Sequence, residues 1–295
     1  MKRLILNADD FGLTAGVNRA IVALNHHGPL TSATLMARAA ATEEAIALAG
    51  PRLGVGCHVV LVDGQSVLEP RRDLLWLVDP VRSVGRFPST LGSLLRLLYL
   101  ERKSAWPRSN CPLEQEIEAE ASAQIAYLQS CGLRLTHIDT HKHTHMFPRI
   151  LRPVLRAARS AGIRVVRNPF EPEWSIHATP RAPLLRRLQV QLLRTLEPAF
   201  RRIVAEEGFV TTDGAIGVLA TGTLDAETLT SLVSAMPDGT WELVTHPGYN
   251  DTALANAGTR LLASRETEMA TLTNTKFPQD IELINFGQLS SRSSP

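Results

Sequence analysis

The stretch Thr136-His137-Ile138-Asp139-Thr140-His141-Lys142-His143-Thr144-His145 places an imidazole or a carboxylate at every second position from 137 to 145, in a chain with nine histidines altogether. A period of two belongs to an extended strand, so His137, Asp139 and His141 share one face, and Thr136, Ile138 and Thr140 the other. After Met146 and Phe147 the pattern turns helical and runs from Pro148 to Ala161, closing at Gly162, with a proline tolerated in the first turn. His143 and His145 therefore fall on the junction between a strand and the helix that follows it.

The same unit recurs on both sides of this stretch. Apolar, β-rich runs ending in polar or turn residues lie at Leu4–Ala8, Leu53–Val62, Leu133–Thr140, Ile163–Arg167, Ala215–Leu219 and Glu242–Thr245. Helical patterns lie between them at Gly16–Gly28, Thr42–Ala49, Pro112–Cys131, Pro148–Ala161, Ala182–Glu207 and Asp225–Met236. Repeated strand-then-helix units predict an α/β fold with a mostly parallel sheet and crossover helices. The reading preferred is a distorted (β/α) barrel, TIM-barrel-like, closed or incomplete at one seam. The region 71–111 breaks the alternation with prolines and a Leu-rich helix around Leu91–Leu100, and reads as a helical insertion over one face. Residues 1–289 are taken as a single domain, and 290–295 (SSRSSP follows from Ser290) as a frayed tail.

Composition narrows the function classes. The chain has 295 residues, 44% hydrophobic and 20% charged, and a net charge of +2, which fits a folded globular protein and lacks the basic excess of a nucleic-acid binder. Three widely spaced cysteines, Cys57, Cys111 and Cys131, fit reduced thiols in the cytoplasm better than a disulfide framework. Acidic residues follow the first short apolar run too soon for a signal peptide, and an 18-residue apolar segment is missing elsewhere.

Four strand ends carry ionisable groups. Burying several such groups on a barrel's inner face costs about 2 kcal/mol or more for each one left unpaired, unless they bind one another or a cation. A cation explains the THIDTHKHTH face best; a hydrogen-bonded polar cluster is the plainer alternative. Asn7-Ala8-Asp9-Asp10-Phe11-Gly12 follows a buried-type strand with two adjacent carboxylates. Adjacent strand residues point opposite ways, so one aspartate can face a metal while the other reaches a water; alternatively, Asp10 or Thr14 caps the helix that begins near Gly16. His58, alone in Gly54-Val55-Gly56-Cys57-His58-Val59, would complete one carboxylate and two imidazoles with Asp10 and His141, a set that leaves coordination sites open. His246 ends the run Trp241–Thr245, and Arg167 ends another, where it could orient an aspartate.

These motifs together, NADDFG after the first strand, the histidine at 58, THIDTHKHTHMFP and the late Thr245-His246-Pro247-Gly248, resemble the YdjC-like carbohydrate deacetylases, which include chitooligosaccharide deacetylases and a hopanoid-biosynthesis deacetylase. The likeness runs from Lys2 to about Tyr249. It implies a single divalent cation, Mg2+ or Zn2+ or another transition metal, held by Asp10, His58 and His141, with Asp9 as catalytic base. Phe11, Asp139, His143, His145 and Arg167 are expected to line the substrate pocket or to support the ligands. Lys142 stands where close relatives often carry a histidine, and should point away from the ligands.

The reaction expected is hydrolysis of an N-acetyl group from an amino sugar, on an oligosaccharide or a glycolipid, with protonated His246 delivering a proton to the departing amine. A metal-dependent phosphoesterase and a non-catalytic metal- or sugar-binding barrel are the competing readings. The resemblance also makes a homodimer an expectation. In Arg181–Arg202, leucines 184, 185, 188, 192 and 196 form one helical stripe beside several arginines. Packing on the core is the plain reading of that stripe, and contact with an anionic membrane surface the alternative.

Overall fold

The computed structural model describes residues 1–69, 73–78, 85–103 and 112–290. The parts of the expected insertion at 71–72, 79–84 and 104–111, and the tail at 291–295, lie outside the described residues. Seven strands form one parallel sheet: β1 (Lys2–Phe11), β2 (Ser32–Leu35), β3 (Gly54–Val59), β4 (Ile138–Thr140), β5 (Gly214–Ile216), β6 (Gly239–Thr245) and β7 (Ile281–Leu283). They run in the order β4-β3-β2-β1-β6-β5. β1 is the central stave: β6 pairs along Lys2–Ala8 on one edge, while the other edge is shared by β7 at Lys2–Leu4 and β2 at Asn7–Phe11. Leu4, Ile5 and Leu6 are all fully buried, as a strand covered on both faces requires.

The segment 163–170 bridges the gap between the two end strands, β4 and β5. On one side Ile138 N donates to Val165 O (3.0 Å) and Arg167 N to Ile138 O (3.1 Å); on the other, Val166 N donates to Val210 O (3.0 Å) and Ala215 N to Phe170 O (3.1 Å). The sheet thus curls into a barrel whose last seam is stitched by isolated bridges. The expected run Ile163–Arg167 serves as a stave without forming a regular strand. β2 and β7 escaped the sequence reading because each is short and lacks a long apolar run.

The helices are α1 (Ala15–His27), α2 (Thr42–Leu48), α3 (Leu91–Lys103), α4 (Pro112–Ser130), α5 (Pro148–Ser160), α6 (Glu173–Ala178), α7 (Leu184–Arg194), α8 (Glu197–Glu206), α9 (Ala226–Ala235), α10 (Thr252–Asn256), α11 (Ala263–Asn274) and α12 (Gly287–Ser290), with a short 3-10 segment at His141–Met146. The expected helix Ala182–Glu207 is two helices, α7 and α8. Strand alternation sorts the barrel wall into two faces. Leu4, Leu6, Ala8, Cys57, Val59 and Leu243 face outward into the main core beneath the helices. The inward face begins with a small apolar cluster of Ile5, Val165, Ile284, Phe286 and Leu289 and becomes polar toward the strands' C-terminal ends. Among the described residues, no helix is long and apolar enough to cross a membrane.

Candidate active site

The two aspartates owe their placement to an irregularity in β1. Its register with β2 shifts between Ala8 and Phe11, and Asp10 there has a φ of 64°, a conformation that a non-glycine residue adopts at some cost. A regular strand would send Asp9 and Asp10 to opposite faces, as the sequence suggested. The bulge instead turns both toward His58, and each shares a cluster of potential ligand atoms with it. Neither is a helix cap: the Thr14 hydroxyl accepts the Val17 N–H at 3.2 Å and caps α1. Beyond the bulge, Phe11 is fully buried in the main core, and its carbonyl accepts from Met36 N at 2.9 Å. Phe11 therefore packs in the main core immediately beyond the bulge that carries Asp10.

Asp10 Oδ1 lies 3.3 Å from His141 Nδ1 and 3.7 Å from His58 Nε2, and the two imidazole nitrogens are 3.2 Å apart. Yet this buried carboxylate oxygen has no hydrogen-bond donor. On the far side of its ring, His58 Nδ1 donates to Asp139 Oδ1 at 2.8 Å, so Nε2 is the nitrogen turned toward Asp10 and His141, and it offers a lone pair there once its proton has left. An orphaned carboxylate oxygen and two convergent imidazole nitrogens fit a divalent cation held by Asp10, His58 and His141. With two nitrogen donors, the set suits a transition metal better than Mg2+, which prefers oxygen. Without a cation, burial works to depress His58, but Asp139, then Asp9 and Asp10, outweigh it and push the imidazole up to about 9.

A second grouping, Asp9, His58 and Asp139, also has ligand spacing. A guanidinium already fills it. Arg167 is fully buried; its Nη1 and Nη2 donate to Asp9 Oδ2 and Oδ1 at 2.9 and 2.6 Å, its Nε donates to Glu242 Oε1 at 2.8 Å, and Nη1 also pairs with Asp139. Asn7 Nδ2 and Thr34 Oγ1 donate to Asp9 Oδ1 at 3.0 and 3.1 Å. Burial works to raise the Asp9 carboxyl, but Arg167 and His58 overcome it and hold Asp9 well below the usual carboxylate range. Glu242 fares differently: burial pushes it up to about 7 against the pull of Arg167.

His246 completes the rim, with Nε2 3.9 Å from Asp9 Oδ2. Burial lowers this imidazole to about 4 despite Asp9 and Asp10, so it is neutral at rest. Its backbone N–H donates to Glu268 Oε2 at 2.6 Å, and burial raises Glu268 to about 7. Arg265, fully buried on α11, donates to Asp10 Oδ2 at 2.5 Å and aims the other oxygen at the imidazoles. Arg265, Glu268 and Glu242 went unnoticed in the sequence because single charges in helical or strand patterns look like solvated positions.

The remaining histidines divide. His145 Nδ1 meets Thr140 Oγ1 at 2.7 Å and its Nε2 meets the Arg167 carbonyl at 3.2 Å, so it staples the Arg167 stave to β4. His143, with φ of 52°, sits nearer the mouth; burial lowers its imidazole to about 3, and Arg167, Asp9 and His246 all act on it electrostatically. His137 stacks on Phe286 at 3.8 Å below the site and takes no part in it. Lys142 points outward, as expected, to Asp63 at 2.6 Å.

The chain matches the YdjC-like protein family over residues 3–283. It is 33% identical to a carbohydrate deacetylase of Brevibacillus brevis, across 97% of this chain and 99% of the relative. A carbohydrate deacetylase of Geobacillus stearothermophilus is 32% identical over 92% of this chain and 89% of its own length. The fold is similar to a crystal structure from Enterococcus faecalis, named for cellobiose-phosphate cleavage, with a TM-score of 0.67 and 25% identity over 98% of both chains. Family match and relatives agree across nearly the whole length, and this chain belongs to the YdjC-like family.

Proposed function

We propose that residues 1–289 act as one catalytic unit, a divalent-cation-dependent hydrolase that removes the N-acetyl group from an N-acetylated amino sugar, carried on an oligosaccharide or a glycolipid, in the cytoplasm. One observation carries the reading: the donorless Asp10 Oδ1 facing His58 Nε2 and His141 Nδ1, with an ionised Asp9 beside it. The carbohydrate-deacetylase relatives support the same chemistry.

A bound divalent cation supplies Lewis acidity, making water more acidic and an amide carbonyl more electrophilic. The protein's own groups handle the proton. Asp9, kept ionised by Arg167, accepts it as water oxygen bonds to the acetyl carbon. The Arg167 clamp also makes Asp9 a weak resting place for that proton, which favours passing it on. His246, neutral at rest, acquires its proton during turnover rather than holding one beforehand, and delivers it to the amine nitrogen as the C–N bond breaks. Acetate and a free amino sugar leave.

The two-metal phosphoesterase reading loses support at Arg167, whose cationic head lies between Asp9 and Asp139 where a second cation would sit. The test is an acetate-release screen over N-acetylglucosamine, chitobiose and an N-acetylglucosaminyl lipid, with Zn2+, Co2+, Mn2+ or Mg2+ added and with chelator. Acetate release abolished by chelator is expected. Phosphate release from an aryl phosphate, with no acetate from any N-acetyl sugar, would replace this reading.

A further inference from the structure

Two buried arginines serve the site, and they are held differently. Arg167 is shared among Asp9, Asp139 and Glu242. Arg265 on α11 is also fully buried, yet among the described residues Asp10 is the one carboxylate within ion-pair distance of it. Its Nη2 donates to Asp10 Oδ2 at 2.5 Å, and its Nε donates to the Leu261 carbonyl at 3.1 Å, one turn earlier. That carbonyl orients the guanidinium without neutralising it, so the charge falls on a single oxygen. Gly248 makes room for the arrangement. A Cβ there would lie 3.0 Å from Arg265 Cδ and 3.5 Å from Arg265 Cβ, so the glycine after His246 and Pro247 lets the arginine stem run past the turn that follows β6. The bulge in β1, the start of α11 and this turn together fix how Asp10 is held.

The two oxygens of Asp10 are thereby given different work. Oδ2 is covered by Arg265, while Oδ1, with no donor, faces His58 Nε2 and His141 Nδ1 at 3.7 and 3.3 Å. A cation in that cluster receives one oxygen from Asp10 and one nitrogen from each imidazole. Ca2+ prefers about six to eight oxygens and often takes both atoms of a carboxylate, so it loses when the cluster's one carboxylate offers a single atom. Zinc-like ions accept three protein ligands of this kind and need no second oxygen. The nearby positive charge weakens the hold on every divalent ion alike. What separates one ion from another is therefore the withheld Oδ2, and Arg265 is what withholds it.

We propose that Arg265 sets the metal preference of this site, holding Asp10 to one-oxygen ligation and so disfavouring large, oxygen-seeking cations relative to zinc-like ones. The inference rests on the cation site of the deacetylase reading and adds to it a positioning residue that acts through Asp10. The test is calorimetric titration of the full chain with Zn2+ and with Ca2+, repeated for Arg265→Met and Arg265→Lys after each variant has shown a cooperative melting transition. In Arg265→Met the ratio of Zn2+ to Ca2+ affinity should fall by at least about tenfold, whichever way the absolute affinities move. Arg265→Lys keeps a cationic donor for Oδ2 and should recover most of the ratio. An unchanged or larger ratio, or Ca2+ binding that stays undetectable in Arg265→Met, would overturn the proposal, since an arginine that only supports the fold would weaken both ions alike. If Arg265→Met does not fold, a crystal structure of the unmodified chain loaded with Mn2+ decides. Asp10 bound through Oδ1 alone, with Arg265 still on Oδ2, is expected there; both oxygens on the ion, or a withdrawn Arg265, would overturn the proposal. Zn2+ uptake with an unchanged ratio removes this inference alone, whereas failure of the unmodified chain to take up any divalent ion removes the deacetylase reading with it.

Discussion

At the N-terminal end of the barrel the interior is filled by Ile5, Val165, Ile284, Phe286 and Leu289, with His137 lying flat on Phe286. Further along the same staves, the same face carries Asp9, Asp139, Arg167 and Glu242. Histidine occurs at both ends with opposite outcomes. His137 has only the Thr136 hydroxyl at 2.9 Å on Nδ1, and burial, followed by repulsion from Arg167, holds it well below its ordinary range. His58 is equally buried, but three carboxylates surround it and drive it upward. Burial alone therefore does not make a functional histidine; the charges placed around it do.

That contrast is most sharply broken by Asp9→Asn. At the polar end it should cut turnover by about 10^3-fold or more while leaving one divalent ion per chain by metal analysis, because Asp9 is not among Asp10, His58 and His141. A loss smaller than tenfold would move the base to another group. Phe286→Ala should give the reverse profile. It opens a cavity under His137 and should cost about 3–4 kcal/mol in denaturant unfolding, with turnover per folded molecule unchanged. If turnover fell with stability, the two ends would be coupled and the layered picture would be wrong.

Much of the polar end was legible in the sequence, and the reason is local. Asp139 and His141 declare themselves because alternation in a strand fixes the face, and NADDFG follows a run buried on both sides; His58, a lone histidine in an apolar strand, gains weight only from their company. The direction of Asp10 was not legible, since it depends on a one-residue bulge that no local pattern marks. Arg265 and Glu268 come from α11, far along the chain, and only the fold brings them to Asp10 and His246. For α7, the leucine stripe was visible but its orientation was not: Leu184, Leu185, Leu188 and Leu192 are exposed, and periodicity identifies an apolar face without saying which way it turns. β2 and β7, four and three residues long, hold too few positions to display a period.

The titration of His58 sharpens the comparison with a smaller effect. Its imidazole is raised to about 9 without a cation, so below that pH the proton occupies the nitrogen that a metal needs. Cation binding must expel it. Affinity should therefore rise by about tenfold per pH unit up to roughly pH 9 and then level off, with close to one proton released per ion. Calorimetry in two buffers of different ionisation enthalpy measures this release directly. No release at pH 7 would mean that His58 is neutral at rest and that Asp139 does not charge it. His137, which no carboxylate touches, should contribute nothing to the same titration.

The smallest effect belongs to Lys142, one residue from a proposed ligand yet outside the site. It and His143 both take left-handed backbone angles, φ of 55° and 52°, so the chain turns sharply and Lys142 leaves the ligand face. Its ammonium pairs with Asp63 at 2.6 Å, with the two side chains 39% and 45% exposed, a setting in which an ion pair contributes about 0.2–1 kcal/mol. Lys142→His should then lower stability by no more than that and change metal affinity by less than about twofold, because neither imidazole of the site contacts Lys142 and water screens its charge. A tenfold change in affinity would show that the turn between β4 and α5 transmits strain to His141, and that nearness along the chain matters here as much as the face on which a side chain lies.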